Sequence, residues 1–265
     1  MMFNYKDLWR PQTLRPGQTL DFCLGSLRLR IHRSQKDWRI THETEAGVDE
    51  RCTVSFSDGP LDPEHEWTRW VLEEKVEQIQ LRPRLPDRPF IVRPEMPMCL
   101  MPKQSVHFFV SLPVWVSVSY GVKYQQVFEV PTDILSNSWF GPFTEGELCY
   151  AVKTSAMLSH EDLLPRANRV VFPIEVRNAS REKLNFERLC LRPQYLNIYQ
   201  GDTRMWTSKA RVSYRGEEVW SRIVYSSLAP DFDNAKQLLG KAREPLQRGS
   251  ILKTFDTLRQ RVDIS

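Results

Sequence analysis

The sequence lacks the motifs that most readily identify an enzyme. Its 265 residues contain no Gly-x-Ser-x-Gly elbow, no glycine-rich phosphate loop and no dinucleotide fingerprint. The five cysteines (Cys23, Cys52, Cys99, Cys149 and Cys190) stand too far apart for any Cys-x-x-Cys pair, which excludes zinc-ribbon and thioredoxin-type motifs. Apolar flanks, in Phe22-Cys23-Leu24, Met98-Cys99-Leu100 and Leu189-Cys190-Leu191, make buried free thiols the plain expectation. The five histidines never reach His-x-x-x-His spacing. No metal and no cofactor is implied. No run of about 20 apolar residues exists, so no helical membrane span is expected. The nearest stretch, 106–122, is broken by Pro113 and dotted with Ser111, Ser117 and Ser119. No apolar signal core precedes Leu14, and with free thiols this points to a reducing cytoplasm.

What is present can build a core. The chain is 41% hydrophobic and carries 8 Trp, 8 Tyr and 13 Phe, which excludes a disordered protein. Its net charge of +4 is unevenly placed. Residues 235–265 hold seven basic side chains against Glu244, Asp256 and Asp263, so the remaining 30 basic and 30 acidic residues cancel. A neutral body argues against nucleic acid as a partner.

Period-two alternation dominates the first 228 residues, as in Leu27, Leu29 and Ile31 against Arg28, Arg30 and His32. About fourteen short strands without long helices between them predict an all-β fold of two antiparallel β-sandwich-like units with a short α-helical C-terminal tail. The expected division is residues 1–130, residues 131–228 and a basic helical tail over 229–265, with the join in Pro131 to Pro142. Pro230 to Asn234 reads as a helix cap ahead of Ala235 to Ala242. Beyond Ser250, the apolar residues Ile251, Leu252, Phe255, Leu258 and Val262 recur at helical spacing, and Lys253, Arg259 and Arg261 add positive charge. This amphipathic segment is the candidate for docking a protein partner or an anionic surface, if it does not pack on its own body.

Three segments carry a resemblance. They are Leu112-Pro113-Val114-Trp115-Val116-Ser117-Val118; Trp139-Phe140-Gly141-Pro142 leading to Gly146-Glu147-Leu148-Cys149-Tyr150; and Phe172-Pro173-Ile174-Glu175-Val176-Arg177-Asn178. In that order the chain resembles an uncharacterised domain-of-unknown-function family of β-rich proteins found in archaea and some bacteria, over roughly residues 70–228. The resemblance implies a β-rich fold and no activity, and it supplies no catalytic residue.

The remaining candidates each have a plain reading. Asp62-Pro63-Glu64-His65-Glu66 is the densest polar cluster and reads as a solvated loop. Asp62, Glu64 and Glu66 are the carboxylates a hydrolase of sugars or phosphoesters would need. His107 beside Phe108 reads as a core or boundary residue. Cys149 is a poor nucleophile, because Glu145 and Glu147 oppose a thiolate. Trp139, Phe140 and Phe143 offer an aromatic ligand platform or else plug the join between the two units. The sequence as a whole favours a non-enzymatic binding or assembly module of prokaryotic, cytoplasmic type. A hydrolase and a membrane-surface or anionic-polymer binder are the alternatives.

Overall fold

Alternation in sequence becomes alternation in burial: Leu27, Leu29 and Ile31 are fully buried while Arg28 and Arg30 are half-exposed. The computed structural model describes residues 3, 5–45, 50–71, 76–121, 124–141, 143–144, 146–186, 188–216, 221–245, 251–252 and 255–256. A single turn of helix, α1 (Tyr5–Leu8), precedes the strands. The first are β1 (Pro11–Thr13), β2 (Gln18–Leu24), β3 (Leu27–Arg33), β4 (Trp38–Thr44), β5 (Cys52–Asp58) and β6 (Thr68–Trp70). Next come β7 (Gln78–Arg84), β8 (Phe90–Pro94), β9 (Met98–Leu100), β10 (Ser105–Pro113), β11 (Trp115–Tyr120) and β12 (Gln125–Pro131). They are followed by β13 (Ser136–Phe140), β14 (Glu147–Ala156), β15 (Arg169–Asn178), β16 (Leu184–Phe186), β17 (Arg188–Leu191) and β18 (Ile198–Gln200). The last are β19 (Met205–Thr207), β20 (Ala210–Tyr214), β21 (Ser221–Tyr225), β22 (Gln237–Gly240), β23 (Ile251–Leu252) and β24 (Phe255–Asp256).

The chain is all-β. One sheet, ordered β5-β2-β3-β4-β6, is built from the first 70 residues alone. The others join distant segments: β1-β7-β11-β12, β13-β14-β8-β17-β24, the pair β16-β9, and an eight-stranded sheet centred on β15. Ladders therefore cross residue 130, with β8 beside β14 and β10 beside β15. One cluster of buried apolar side chains runs from Tyr5 to Leu239. The first sheet is tied to this body at the β2–β3 turn. There Gly25 has φ +57 and lies so close to Asn168 that a Cβ would collide with it.

Among the described residues three ladders are parallel, β14 with β8 and β15 with both β19 and β20, although antiparallel pairing was expected throughout. A parallel pair needs a long return connection, and here strands supply it where a helix usually does. β19 and β20 lie end to end along one edge of β15, with β10 on the other edge.

The structure corrects the reading of the C-terminal region. The segment 235–242, expected to be helical, contains strand β22, which pairs with β18. Asp233 and Asn234 have φ of 52 and 49, a left-handed turn that cannot start a right-handed helix. The chain then lies in the body: the Arg243 guanidinium stacks 5.3 Å from the Trp115 ring centre and pairs with Glu129. Ile251 and Leu252 are extended and pair with β21, and Phe255 and Asp256 with β17, where a helix was expected. Open strand edges satisfy the backbone groups of these residues, which helical spacing alone does not reveal. Lys253, Leu258, Arg259, Arg261 and Val262 lie outside the described residues.

Candidate functional site

Register places four outward-facing residues in one row across the large sheet: His107 on β10, Glu175 on β15, Arg211 on β20 and Val224 on β21. Side chains directly opposite on neighbouring strands share a face, so the row is a consequence of pairing alone. Arg211 Nε donates to Glu175 Oε2 at 2.7 Å. The row lines a groove of about 600 Å³ whose apolar surface includes Pro173, Ile174 and Phe232. His107 is exposed here, not a core or boundary residue, because its ladder partner Glu175 faces outward.

One wall of the groove is fixed by a buried aromatic cluster. Phe232 stacks on Trp206 with ring centres 5.2 Å apart and meets Phe109 edge-on at 5.3 Å. Lys209 lies 5.2 Å over the Phe232 ring and reaches Asp231 at 2.5 Å. The lysine holds the Asp231 carboxyl below its ordinary value through that hydrogen bond. Asp233 is no helix cap. Its carboxylate accepts from Trp206 Nε1 at 3.0 Å, from Thr203 Oγ1 at 2.9 Å, and from the backbone N–H groups of Thr203 and Arg204. Burial opposes that charge, but the donors outweigh it and keep the carboxyl below its usual range.

A second constellation lies where β8 begins. β14 and β17 flank β8, with Tyr150 and Leu191 both opposite its first residue, Phe90, and Cys190 opposite Ile91. Side chains from the two outer strands meet there. Cys149 and Cys190 stand Sγ to Sγ 3.9 Å apart, both buried. Glu147 and Arg192 form a direct ion pair in which the arginine is buried. Cys190 Sγ stands 3.6 Å from Glu147 Oε1, so the thiols and the ion pair form one cluster. Ile91 and Phe140 pack around the thiols. The Cys190 thiol holds Cys149 below its ordinary value by hydrogen bonding, against burial and the Glu147 charge. The same contact and burial push Cys190 well up.

The other sequence candidates are dispersed. Phe140 is buried beside the thiols, whereas Trp139 is 46% and Phe143 94% exposed, so the three rings do not share one environment. Asp62, Glu64 and Glu66 are exposed, with Asp62 accepting from the Glu64 N–H at 3.0 Å. His65 bonds to Glu43 at 2.9 Å and lies 3.4 Å from Asp62. The basic strand faces are met by acids: Arg28 by Glu45 and Arg30 by Asp21, each at 3.1 Å, and Arg84 by Glu129 at 3.7 Å.

Sequence reasoning missed the groove and the Cys149–Cys190 pair. The thiols are 41 positions apart, and only the ladders on either side of β8 bring them together. The row from His107 to Val224 was legible only once register was known. No helix among the described residues is long and apolar enough to cross a membrane. Comparison with curated proteins and with solved structures gives no match. One family model does match, over residues 8–259, and the chain belongs to that family, described as "Protein of unknown function (DUF432)".

Proposed function

We propose that the protein is a non-enzymatic binding module that receives a small amphipathic ligand in the groove over β10, β15, β20 and β21. The groove itself carries this reading. Its volume of about 600 Å³ lies in the range of small-molecule sites. An apolar surface bordered by His107, Glu175, Lys209 and Arg211 suits a ligand with an apolar body and polar ends. The rigid Trp206–Phe232 wall keeps the groove formed without a ligand. The carboxylates a hydrolase would need, Asp62, Glu64 and Glu66, border neither this groove nor the cleft beside β1 and β7.

The test is nuclear magnetic resonance of labelled full-length protein against a panel of small amphipathic carboxylates and amines. Saturable shifts should map to the His107–Val224 row and vanish in Val224→Asp, which places a charge on the groove surface at a half-exposed position. Shifts that map elsewhere, or that survive the substitution unchanged, would remove the groove as the binding site.

A further inference from the structure

We propose that Cys149, Cys190 and Glu147 form a binding site for a thiophilic divalent cation, with zinc(II) as the best-fitting ion. Two of the three separations match those of a coordination polyhedron. Two thiolates bound tetrahedrally to zinc at about 2.3 Å stand roughly 3.8 Å apart, and a thiolate and a carboxylate oxygen roughly 3.5 Å. The corresponding separations here are 3.9 Å for Cys149 Sγ to Cys190 Sγ and 3.6 Å for Cys190 Sγ to Glu147 Oε1. All three potential ligand atoms lie within 4.8 Å of one another.

Charge supports the same assignment. A divalent ion with two thiolates and a carboxylate carries one net negative charge, which is costly to bury alone. Arg192, buried and paired with Glu147, supplies the compensating positive charge. Arg192 meets the same oxygen, Glu147 Oε1, that faces Cys190, and because a carboxylate oxygen has two lone pairs it can bind the ion through one and keep the arginine on the other. Ile91 and Phe140 shield the thiols, whereas the Glu147 side chain is 37% exposed and gives an entry path. Three protein ligands leave the fourth tetrahedral position to water.

A simple dithiol–disulfide pair explains less. A disulfide requires the sulfurs to close to about 2.05 Å, and it has no use for Glu147 or Arg192. Metal binding replaces two S–H bonds by two S–metal bonds and releases both protons to solvent, with no electron transferred.

The experiment uses reduced, chelator-treated full-length protein titrated with cobalt(II), then with zinc(II). The expected result is the intense visible spectrum of tetrahedral cobalt, with a thiolate-to-cobalt charge-transfer band that zinc abolishes. The band should be lost in Cys149→Ser and in Cys190→Ser and kept in Cys99→Ser, whose thiol is exposed on another sheet. If the serine variants fail to fold, wild-type protein still decides the matter. Zinc binding should release about two protons per ion and slow alkylation of Cys149 and Cys190, but not of Cys99, at least tenfold. A weak octahedral cobalt spectrum, no proton release, or a Cys149–Cys190 disulfide whose reduced form ignores zinc would each overturn the assignment.

Discussion

The first sheet and the sheet around β8 handle polar side chains in opposite ways. On β2 to β6 and the loop between β5 and β6, polar groups are numerous and, His32 and Thr41 apart, half-exposed or exposed. Asp21, Arg30, Glu43, Asp62 and His65 contact one another at the surface, where water screens each pair. Around β8 there are few, but two thiols and an arginine are buried beside one partly exposed carboxylate. The lesson is that density of charged residues does not make a site. Burial without loss of partners does, because each group there must be held in one arrangement.

The largest difference should appear on removing one arginine from each region. Arg192→Leu leaves the Glu147 carboxylate without its partner beside the buried thiols and should cost about 2–4 kcal/mol, reduced from the fully buried limit because Glu147 is partly exposed. Arg30→Leu removes contacts to Asp21 and His65 and should cost less than about 1 kcal/mol. Urea unfolding of the two variants measures both values. Equal losses would mean that burial does not separate the regions.

Asp233 lies between these extremes, partly exposed yet gripped by four donors. Asp233→Asn should cost about 1–2 kcal/mol at neutral pH, because hydrogen bonds to a neutral amide are weaker than those to a carboxylate. The native carboxyl titrates below its unfolded value, so its contribution is complete above about pH 4. It should fade as pH falls through the native value, and the gap between wild type and variant should close with it. A gap that widens in acid would contradict the hydrogen-bond account.

Legibility in the sequence followed the same division. Alternation along Leu27–Arg33 announced a half-buried strand, and the balance of acids and bases in the body, read there only as neutrality, is realised in pairs such as Arg28 with Glu45. Both are local or compositional signals. The Cys149–Cys190 pair depends on two non-local ladders, so the sequence showed two separate buried thiols, as they are, and not their proximity, while Cys99, expected to be buried, is exposed. The segment 235–242 failed for a related reason. The cap-like run Pro230 to Asn234 ahead of it was overruled by the left-handed turn at Asp233 and by an open strand edge on β18. The resemblance carried by Trp115, Phe140 and Phe172 reached the correct family because its residues are structural, buried or at strand starts.

Thiol chemistry should sharpen the comparison at smaller scale. Native protein treated with iodoacetamide at pH 8 should be labelled first at exposed Cys99. Cys52, whose thiol burial pushes up to about 12, and Cys190, also pushed up, should react at least tenfold more slowly. Peptide mass mapping over time gives the order. Labelling of Cys190 at the pace of Cys99 would show that the sheet around β8 opens readily, and burial could not then be what organises the cluster.

The smallest effect belongs to the region that looks richest in sequence. Replacing Asp62, Glu64 and Glu66 together with Ala removes one short side-chain bond to the Glu64 N–H and one arm of the His65 cluster. The main-chain bond that anchors this loop survives, because Trp67 Nε1 donates at 2.9 Å to the backbone carbonyl of Asp62. His65 also keeps Glu43 and Arg30. The triple variant should therefore stay within about 1 kcal/mol of wild type and bind cobalt unchanged. A loss above about 2 kcal/mol would show that surface pairs on the first sheet act as a network, and the contrast between the two regions would then be one of degree.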